Sequence, residues 1–190
     1  MTHRRLARTA AVLSAAALVA AGCGNKEDVT TNASTEGIWL DAGRLDYHIQ
    51  GSRVLEPGLT PDRAYLKGLP QGTVQPTGKE LWFAVFLRIE NRTKAAAQSA
   101  AQFEITDTQG KSFQPYNINV NVNPFAYQST MLAPNKSIPV PDSPQDFDSF
   151  SGSMLLFKLP LQSYQNRPLE FHIHSADGTK PGEASLDLDV

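Results

Sequence analysis

Apolar and polar side chains alternate along most of the chain from residue 38 onward. The clearest segment is 81–90, where one set of alternate positions is apolar throughout and the other changes from apolar to polar at Arg88. This pattern is typical of a central β-strand. Further segments alternate with the same period of two and predict strands at residues 45–50, 103–106, 117–123, 169–174 and 184–190.

Residues that favour turns separate these segments. The predicted turns lie at residues 107–110, 133–136 and 177–182, and the first of them joins its two strands as a hairpin. Residues 57–78 and 139–151 are predicted to be loops, and the best helix candidate is the short Ala-rich segment 95–101. Roughly seven to nine short strands in one unit predict an all-β fold, an antiparallel immunoglobulin-like two-sheet sandwich over residues 38–190.

The first 22 residues have the pattern of a signal peptide. Arg4, Arg5 and Arg8 precede a mainly apolar run at residues 10–21. A run of this length suits the ~7–15 residues of a signal-peptide core and is shorter than the ~20 that span a bilayer. Small residues then lead into Cys23, which resembles the lipobox of bacterial lipoproteins, where the cysteine thiol accepts a diacylglycerol. We expect lipidation of Cys23; the alternative is an ordinary signal peptide beside an unmodified cysteine.

The cysteine count and the charge exclude several classes of protein. Cys23 is the single cysteine among 190 residues, which excludes a disulfide framework and an all-cysteine metal site. The formal net charge of -2 argues against nucleic-acid binding, which needs a basic surface. Cleavage before Cys23 leaves 14 basic and 19 acidic residues, a net charge of -5 over 168 residues. An acidic domain is not attracted to an anionic membrane, so the lipid would be the anchor.

Residues 23–37 are almost entirely polar and lack the apolar side chains that a core requires. We therefore predict a disordered tether between the lipid and the domain. Together with the signal peptide, this tether indicates an extracytoplasmic domain that is anchored to the cell membrane by its N-terminal lipid.

Several segments of the predicted sandwich resemble a known family. They are the hydrophobic strand and its Asn-Arg end at 81–92, the hairpin at 103–115, Leu-Ala-Pro-Asn-Lys at 132–136, and the later strands at 152–160 and 169–173. This series is similar to the immunoglobulin-like (telokin-like) DUF4352-type domain of secreted bacterial lipoproteins. The family commonly has Gly where this chain has Asn135, and Asn also tolerates a left-handed turn. The resemblance implies an extracytoplasmic sandwich without an established activity, and it carries over no functional residues.

A histidine pair is the sharpest candidate for metal chemistry. His172 and His174 are two residues apart on a predicted strand and project from the same face, together with Glu170. Such a pair can bind Zn or Cu if a neighbouring strand supplies a third ligand. The candidates for that ligand are His48, Asp46 and, for Cu, Met131 or Met154. The alternative interpretation is a hydrated outer face of the sheet, because Leu169, Phe171 and Ile173 form the core side.

Two other groups of polar residues are candidates for ligand binding, and each also has a simpler structural explanation. Asn117, Asn119, Asn121 and Asn123 place four amides on one face of a predicted strand. Amides can hydrogen-bond sugars or peptide backbones, but a hydrated sheet face explains the pattern equally simply. The aspartates are interpreted as solubilising charge, because they lack the spacing of a calcium loop; they are Asp142, Asp146, Asp148, Asp187 and Asp189.

The motifs of catalysis and of cofactor binding are missing from the sequence. Gly-x-Ser-x-Gly, Ser-x-x-Lys and a Gly-rich phosphate loop do not occur, and lipidation would consume the Cys23 thiol. We predict a lipid-anchored binding module without catalytic residues or cofactor, whose partner is an envelope protein, a peptide or a glycan. Loops 57–78 and 139–151 are the expected contact surfaces. The alternative function is an extracytoplasmic Cu or Zn carrier that uses His172 and His174.

Overall fold

The structure is a computed structural model that describes residues 29–176 and 178–188. The predicted signal peptide, Cys23 and Asp189 lie outside the described residues. The strands are β1 Asn32–Ala33, β2 Trp39–Ala42, β3 Leu45–Leu55, β4 Glu80–Glu90, β5 Ala97–Gln98, β6 Gln102–Thr106, β7 Ser112–Phe113, β8 Met131–Leu132, β9 Ser137–Ile138, β10 Ser153–Pro160, β11 Glu170–His174 and β12 Glu183–Asp187. The helices are α1 Thr60–Tyr65 and α2 Leu161–Gln165. Neither of these helices is long enough to cross a membrane.

The strands form two main sheets. Sheet I has the order β1-β12-β11-β6-β7, and sheet II has the order β10-β4-β3-β2, with β9 paired to the end of β4. Strands β5 and β8 form a small third sheet. The described pairs are antiparallel except β1 with β12, which is parallel. The predicted antiparallel two-sheet sandwich is confirmed, and so is the central position of β4.

The main core fills the space between the two sheets. Strand β4 contributes one set of alternate positions, from Phe83 to Ile89, and these side chains are fully buried. Phe103 of β6 and Phe171 of β11 face them from sheet I and lie with their ring centroids 5.8 Å apart. Fully burying a side chain of this size stabilises the fold by ~1.5–3 kcal/mol. The period-two pattern of the sequence therefore predicts correctly which side chains of these strands form the core.

A second apolar cluster covers the outer face of sheet II. Trp82, Ala84 and Phe86 are buried there, on the face of β4 opposite to the main core. Their cover is α1 together with irregular chain, and Phe86 stacks on Phe150 with ring centroids 4.5 Å apart. Past this cover, the same face of β4 carries Arg88, whose guanidinium pairs with the Asp146 carboxylate at 3.2 Å. The change from apolar to polar along β4 marks the edge of this cover.

Segment 117–123 is not a strand, which corrects the prediction made from its alternation. The side-chain oxygen of Asn119 accepts a hydrogen bond from the backbone N–H of Asn121, and that of Asn123 accepts one from the N–H of Phe125. Asparagine side chains that bond the backbone two residues on form turns and compete with strand pairing. The four amides therefore do not form a ladder on one face.

The helix candidate at 95–101 and the loop predicted at 57–78 also differ from the structure. The Ala-rich segment 95–101 contains β5, and Ala97 pairs with Leu132 of β8, so no helix forms there. The predicted loop 57–78 contains α1, which has a proline in its first turn, where the missing N–H costs no helical hydrogen bond. By contrast, the predicted hairpin at 107–110 is confirmed, and Asn135 has the left-handed φ of 57° that its turn requires.

Residues 29–37 differ from the predicted tether, because they lie against the sandwich. The carbonyl oxygen of Thr30 accepts a hydrogen bond from the N–H of Asp41 in sheet II at 2.7 Å. The carbonyl oxygen of Thr31 accepts one from the N–H of Ser185 in sheet I at 2.8 Å. The backbone of this mostly polar segment satisfies strand edges in both sheets, and Ala33 packs against the main core. The part of the predicted tether at residues 29–37 therefore lies against the folded domain.

Candidate functional site

Residues 116–127, here called the edge segment, run along the outer edge of β10. The N–H of Tyr116 donates to the carbonyl oxygen of Leu156 at 2.7 Å. At the other end, the N–H of Tyr127 donates to the carbonyl oxygen of Met154 at 2.8 Å, and the N–H of Met154 donates to the carbonyl oxygen of Phe125 at 2.7 Å. The segment thus leaves the strand at Leu156 and returns to it at Met154, and it bulges away from the edge in between.

The bulge is held in place by contacts with the turn that follows α1. The N–H of Asn119 donates to the carbonyl oxygen of Gly68 at 2.8 Å. Gly68 has a φ of 73°, and a Cβ at this position would lie 2.9 Å from the carbonyl oxygen of Asn119. The fully buried side-chain amide of Asn123 donates to the carbonyl oxygens of Tyr65 and Lys67 at 2.7 and 3.0 Å. The edge segment is therefore a fixed element of the surface.

The edge segment encloses a groove of about 590 Å³, here called the edge groove. Side chains from both apolar clusters form its floor, including Phe103 and Met154. Its polar lining consists of amides and hydroxyls, from Tyr116, Asn117, Asn119, Asn121, Tyr127, Gln128 and Ser129. None of the residues that line the groove is Asp, Glu, Lys, Arg or His. The edge groove is therefore polar but uncharged.

The amides of the edge segment and of Gln128, which follows it, have two distinct roles. Asn123 makes three hydrogen bonds within the protein and is structural. The side chains of Asn117, Asn121 and Gln128 are solvent-exposed, and they have no hydrogen-bond partner within the part of the chain that the structure describes. Each of them carries two N–H donors and one carbonyl acceptor that are available to a ligand.

The two tyrosines of the groove are held rigidly. The hydroxyl of Tyr127 donates to the carbonyl oxygen of Ala100 at 2.5 Å and accepts from the Ser99 hydroxyl at 2.8 Å. Burial raises the pKa of Tyr127 to about 12, so the phenol stays neutral at physiological pH. The ring of Tyr116 packs edge-on against Trp82 at 5.2 Å. The groove thus presents aromatic surface that keeps its position and carries no charge.

The histidine pair lies on the outer face of sheet I, as predicted, and its rings are 6.5 Å apart. The ring nitrogens of His172 are each 3.0 Å from a polar neighbour, Nε2 from the Thr106 hydroxyl and Nδ1 from the Glu183 carboxylate. His48 belongs to sheet II, where its ring nitrogens contact the carbonyl oxygen of Gly37 and the side-chain amide of Gln50.

The other proposed third ligands also lie elsewhere in the fold. Asp46 lies in β3 of sheet II, Met131 lies in the third sheet, and Met154 is buried in the second cluster. Among residues 29–176 and 178–188, no group of three His, Cys, Asp or Glu side chains could hold a metal ion. The structure therefore does not assemble the metal site that the carrier function requires.

The aspartates of loop 139–151 serve the scaffold. Asp146 pairs with Arg88, and its second carboxylate oxygen accepts a hydrogen bond from the N–H of Asp142 at 3.1 Å. The carboxylate of Asp148 accepts a hydrogen bond from the Tyr65 hydroxyl at 2.5 Å. Burial and this hydrogen bond both raise the pKa of Tyr65. These contacts attach the loop to α1 and sheet II, so Asp146 and Asp148 stabilise the fold and are not simply the solubilising charge that was predicted.

Sequence reasoning identified the Asn-rich segment but missed the groove, including Tyr116, Tyr127 and Gln128. The signal that could have indicated it is the pair of prolines, Pro115 and Pro124, at the ends of the Asn-rich run. Proline and asparagine together favour turns over a paired strand. Two loops were expected to make contacts. Loop 139–151 lines a concavity that adjoins the edge groove, whereas loop 57–78 contacts the edge segment from behind through Gly68.

No protein-family model matches this chain, and no curated protein matches it. The DUF4352-type assignment therefore remains a resemblance. Among solved structures, the chain is similar to the yjhA protein of Bacillus subtilis, with a TM-score of 0.54 and 12% identity over 82% of this chain and 99% of that one.

Two further solved structures match with lower scores. A Bacillus subtilis protein described provisionally as a lipoprotein (ycdA) matches with a TM-score of 0.48 and 11% identity, over 80% of this chain and 38% of that one. An uncharacterised β-sandwich protein from Clostridium difficile matches with a TM-score of 0.43 and 9% identity, over 83% and 95%. The similarity to yjhA shows that this chain shares the fold of a solved structure, and in this chain that fold is an antiparallel two-sheet sandwich.

Proposed function

We propose that this protein is a lipid-anchored, non-catalytic binding module outside the cytoplasmic membrane, and that its edge groove binds an uncharged glycan. The observation that carries the proposal is the set of exposed amides of Asn117, Asn121 and Gln128 in a groove without a charged lining residue. Convergent polar groups in a concave, partly apolar surface are the usual features of a small-ligand site.

The lack of charge selects the class of ligand. A charged group that enters the groove loses hydration and meets no opposite charge among the lining residues, so its burial is unfavourable. Sugar hydroxyls are neutral, and they donate and accept hydrogen bonds as amides do. Rigid tyrosine rings supply apolar surface for the C–H faces of a sugar ring. A neutral glycan therefore matches both parts of the lining.

A peptide is a weaker candidate for the same groove. Extended peptides commonly bind by adding a strand to an open sheet edge. Here the outward-facing backbone groups of Met154 already bond Phe125 and Tyr127. The edge segment thus occupies positions on β10 that an added strand would need.

The anchoring part of the proposal depends on Cys23 and on the signal-peptide pattern of residues 1–22. A single acyl chain gives only marginal membrane binding, whereas a diacylglycerol on Cys23 supplies two chains. We expect the wild-type protein in the membrane fraction and the Cys23→Ala variant outside it, with the diacylglyceryl mass detected only in the wild type. A Cys23→Ala variant that remains in the membrane fraction would contradict lipid anchoring.

The binding part is tested with the whole protein in a sugar-free detergent, by calorimetric titration with neutral disaccharides and their carboxylated counterparts. Each hydrogen bond contributes ~0.5–1.5 kcal/mol, so Asn121→Ala and Gln128→Ala should each weaken binding roughly 2- to 10-fold. Gln109→Ala is the matched control, because Gln109 is an exposed amide on the β6–β7 turn. Tighter binding of the carboxylated sugars, or equal losses in all three variants, would contradict the proposal.

A further inference from the structure

We infer that the edge groove is one end of a longer binding surface, and that its ligand is a chain of several N-acetylated sugar units. This inference rests on the proposed function and specifies the class of glycan. Two neighbouring concavities continue the groove around the outside of residues 126–133 and along the start of loop 139–151.

The three concavities adjoin one another, because neighbouring ones share lining residues. The edge groove shares Val120, Ala126 and Gln128 with a second concavity of about 240 Å³. The second shares Thr130, Ile138 and Val140 with a third concavity of about 380 Å³. A ligand that fills only the edge groove would leave the second and third concavities open. Their position next to the groove therefore favours an extended ligand.

The floor of the second concavity is as well fixed as that of the first. The side-chain amide of Gln145 donates to the carbonyl oxygen of Ala126 at 3.1 Å, and its oxygen accepts a hydrogen bond from the Ser153 hydroxyl at 3.2 Å. These bonds join the edge segment, loop 139–151 and β10. The surface is therefore formed before a ligand arrives, which lowers the entropy cost of binding.

The chemistry of the lining changes gradually along this surface. The second concavity, like the first, is lined only by uncharged residues, and Lys136 is the single charged residue that lines the third. Met131 and Val140 line the third concavity and are 60% and 65% exposed. These two side chains give this end of the surface apolar contacts for the methyl groups of a ligand.

An acetamido group matches this combination of lining residues. It carries one N–H donor, one carbonyl acceptor and one methyl group, whereas a plain hydroxyl lacks the methyl group. Apolar side chains lie next to exposed amides in the lining of the groove, as Val120 does next to Asn121. A polyanionic chain fits poorly. Lys136 is the one cationic residue that lines these three concavities, and in the concavity that adjoins the third one beyond Lys136 the Arg92 guanidinium is already paired with the Glu90 carboxylate at 3.0 Å.

The test is a length series of β-1,4-linked N-acetylglucosamine oligomers, from two to six units, titrated into the whole protein in a sugar-free detergent. Glucose oligomers with the same linkage and length are the matched ligands without the acetamido group. We expect Kd to fall at least tenfold between the dimer and the hexamer of the acetylated series, and to fall less in the glucose series.

Two variants separate the ends of the surface. Met131→Ser combined with Val140→Ser should weaken binding of the hexamer and leave binding of the dimer unchanged, whereas Gln128→Ala should weaken both. Val74→Ser is the matched control, because Val74 is 67% exposed and lies outside the three concavities.

Each other outcome is decisive. Dimer binding that depends on Gln128 but does not improve with length would overturn the extended surface and leave the proposed function standing. Equal affinity for the acetylated and glucose series would overturn the acetamido preference. A lack of binding at every length would overturn the inference and the proposed function together.

Discussion

The outer faces of the two sheets differ in polarity: that of sheet I is polar, whereas part of that of sheet II is apolar and buried. On sheet I, the outward side chains of β11 are polar and bond their neighbours, as His172 does with Thr106 and Glu183. On sheet II, the outward side chains of β4 begin with Trp82, Ala84 and Phe86, which are buried beneath α1 and irregular chain. One face needs no cover, whereas the other must have one.

This difference determines where a binding site can form. A polar sheet face whose groups bond one another is stable against water without further packing. An apolar face must be covered, and a cover made of irregular chain leaves concavities where it meets the edge of the sheet. The edge groove lies at such a boundary, with Tyr116 against the second cluster and Tyr127 against the main core. The candidate site thus follows from the need to bury Trp82 and Phe86.

The largest expected effect comes from removing a ring of the covered face. Phe86 is fully buried between Phe150 and Tyr65, with ring distances of 4.5 and 5.3 Å. Phe86→Ala should lower the free energy of unfolding by about 3–5 kcal/mol, because it leaves a cavity in the second cluster. Urea denaturation measures this change. A loss below about 1 kcal/mol would mean that the cover contributes little to the fold.

A matched pair of asparagines separates support from recognition. Asn123→Ala should cost about 2 kcal/mol of stability, because three backbone groups lose a buried partner. Asn121→Ala should leave the free energy of unfolding unchanged and weaken glycan binding instead, because its side chain is exposed in the groove. Denaturation and titration of both variants check this contrast, and equal effects on stability would break it.

The ion pair beneath the cover gives a pH-dependent test. Two hydrogen bonds from Arg53 lower the pKa of the buried Asp62 carboxyl, while burial opposes that shift. A lowered folded-state pKa means that the pair stabilises the protein above the ordinary carboxyl pKa of ~3.9 and that this contribution is lost as the pH falls through the folded-state value.

We therefore expect Asp62→Asn to cost about 1–2 kcal/mol at pH 7, since Arg53 is partly exposed, and to lose less stability than the wild type between pH 5 and pH 3. Urea denaturation at pH 7 measures the first effect, and urea midpoints between pH 5 and pH 3 measure the second. Parallel pH profiles for the two proteins would show that Asp62 does not contribute to acid unfolding.

The smallest effect is expected on the polar face. His172→Ala should lower the free energy of unfolding by less than about 1 kcal/mol, because water can replace its contacts with Thr106 and Glu183. Zinc and copper titrations should give the same weak response in the wild type and in this variant. A stoichiometric metal site that disappears in His172→Ala would restore the carrier function and contradict our account of this face.

The sequence was sufficient for the part of the fold that depends on regular alternation. The pattern of segment 81–90 predicted the central strand β4 and the change along its outer face at Arg88. It could not show what covers Trp82 and Phe86, because that contact joins residues far apart in the chain. The alternation does not predict the docking of residues 29–33, because it depends on backbone hydrogen bonds and on one small side chain, Ala33, which together leave no hydrophobic pattern.

The candidate site was predictable only in part. The amides of Asn117–Asn123 were recognised as a possible ligand surface, but their alternation was read as a strand. In the structure, the side chains of Asn119 and Asn123 bond the backbone and create turns, whereas the exposed amides of Asn117 and Asn121 line the groove and are available to a ligand. A period-two pattern of asparagines cannot distinguish these arrangements, because the same side chain can serve either as a surface group or as a turn-former.

The most direct measurement is a ¹H–¹⁵N spectrum of the side-chain amides during titration with the N-acetylglucosamine tetramer. Our account predicts saturable shifts for Asn117, Asn121 and Gln128, with smaller shifts for the buried amide of Asn123 and none for Gln109. Shifts confined to residues outside the edge groove, or an unchanged spectrum at millimolar sugar, would contradict the claim that this uncharged groove binds a neutral glycan.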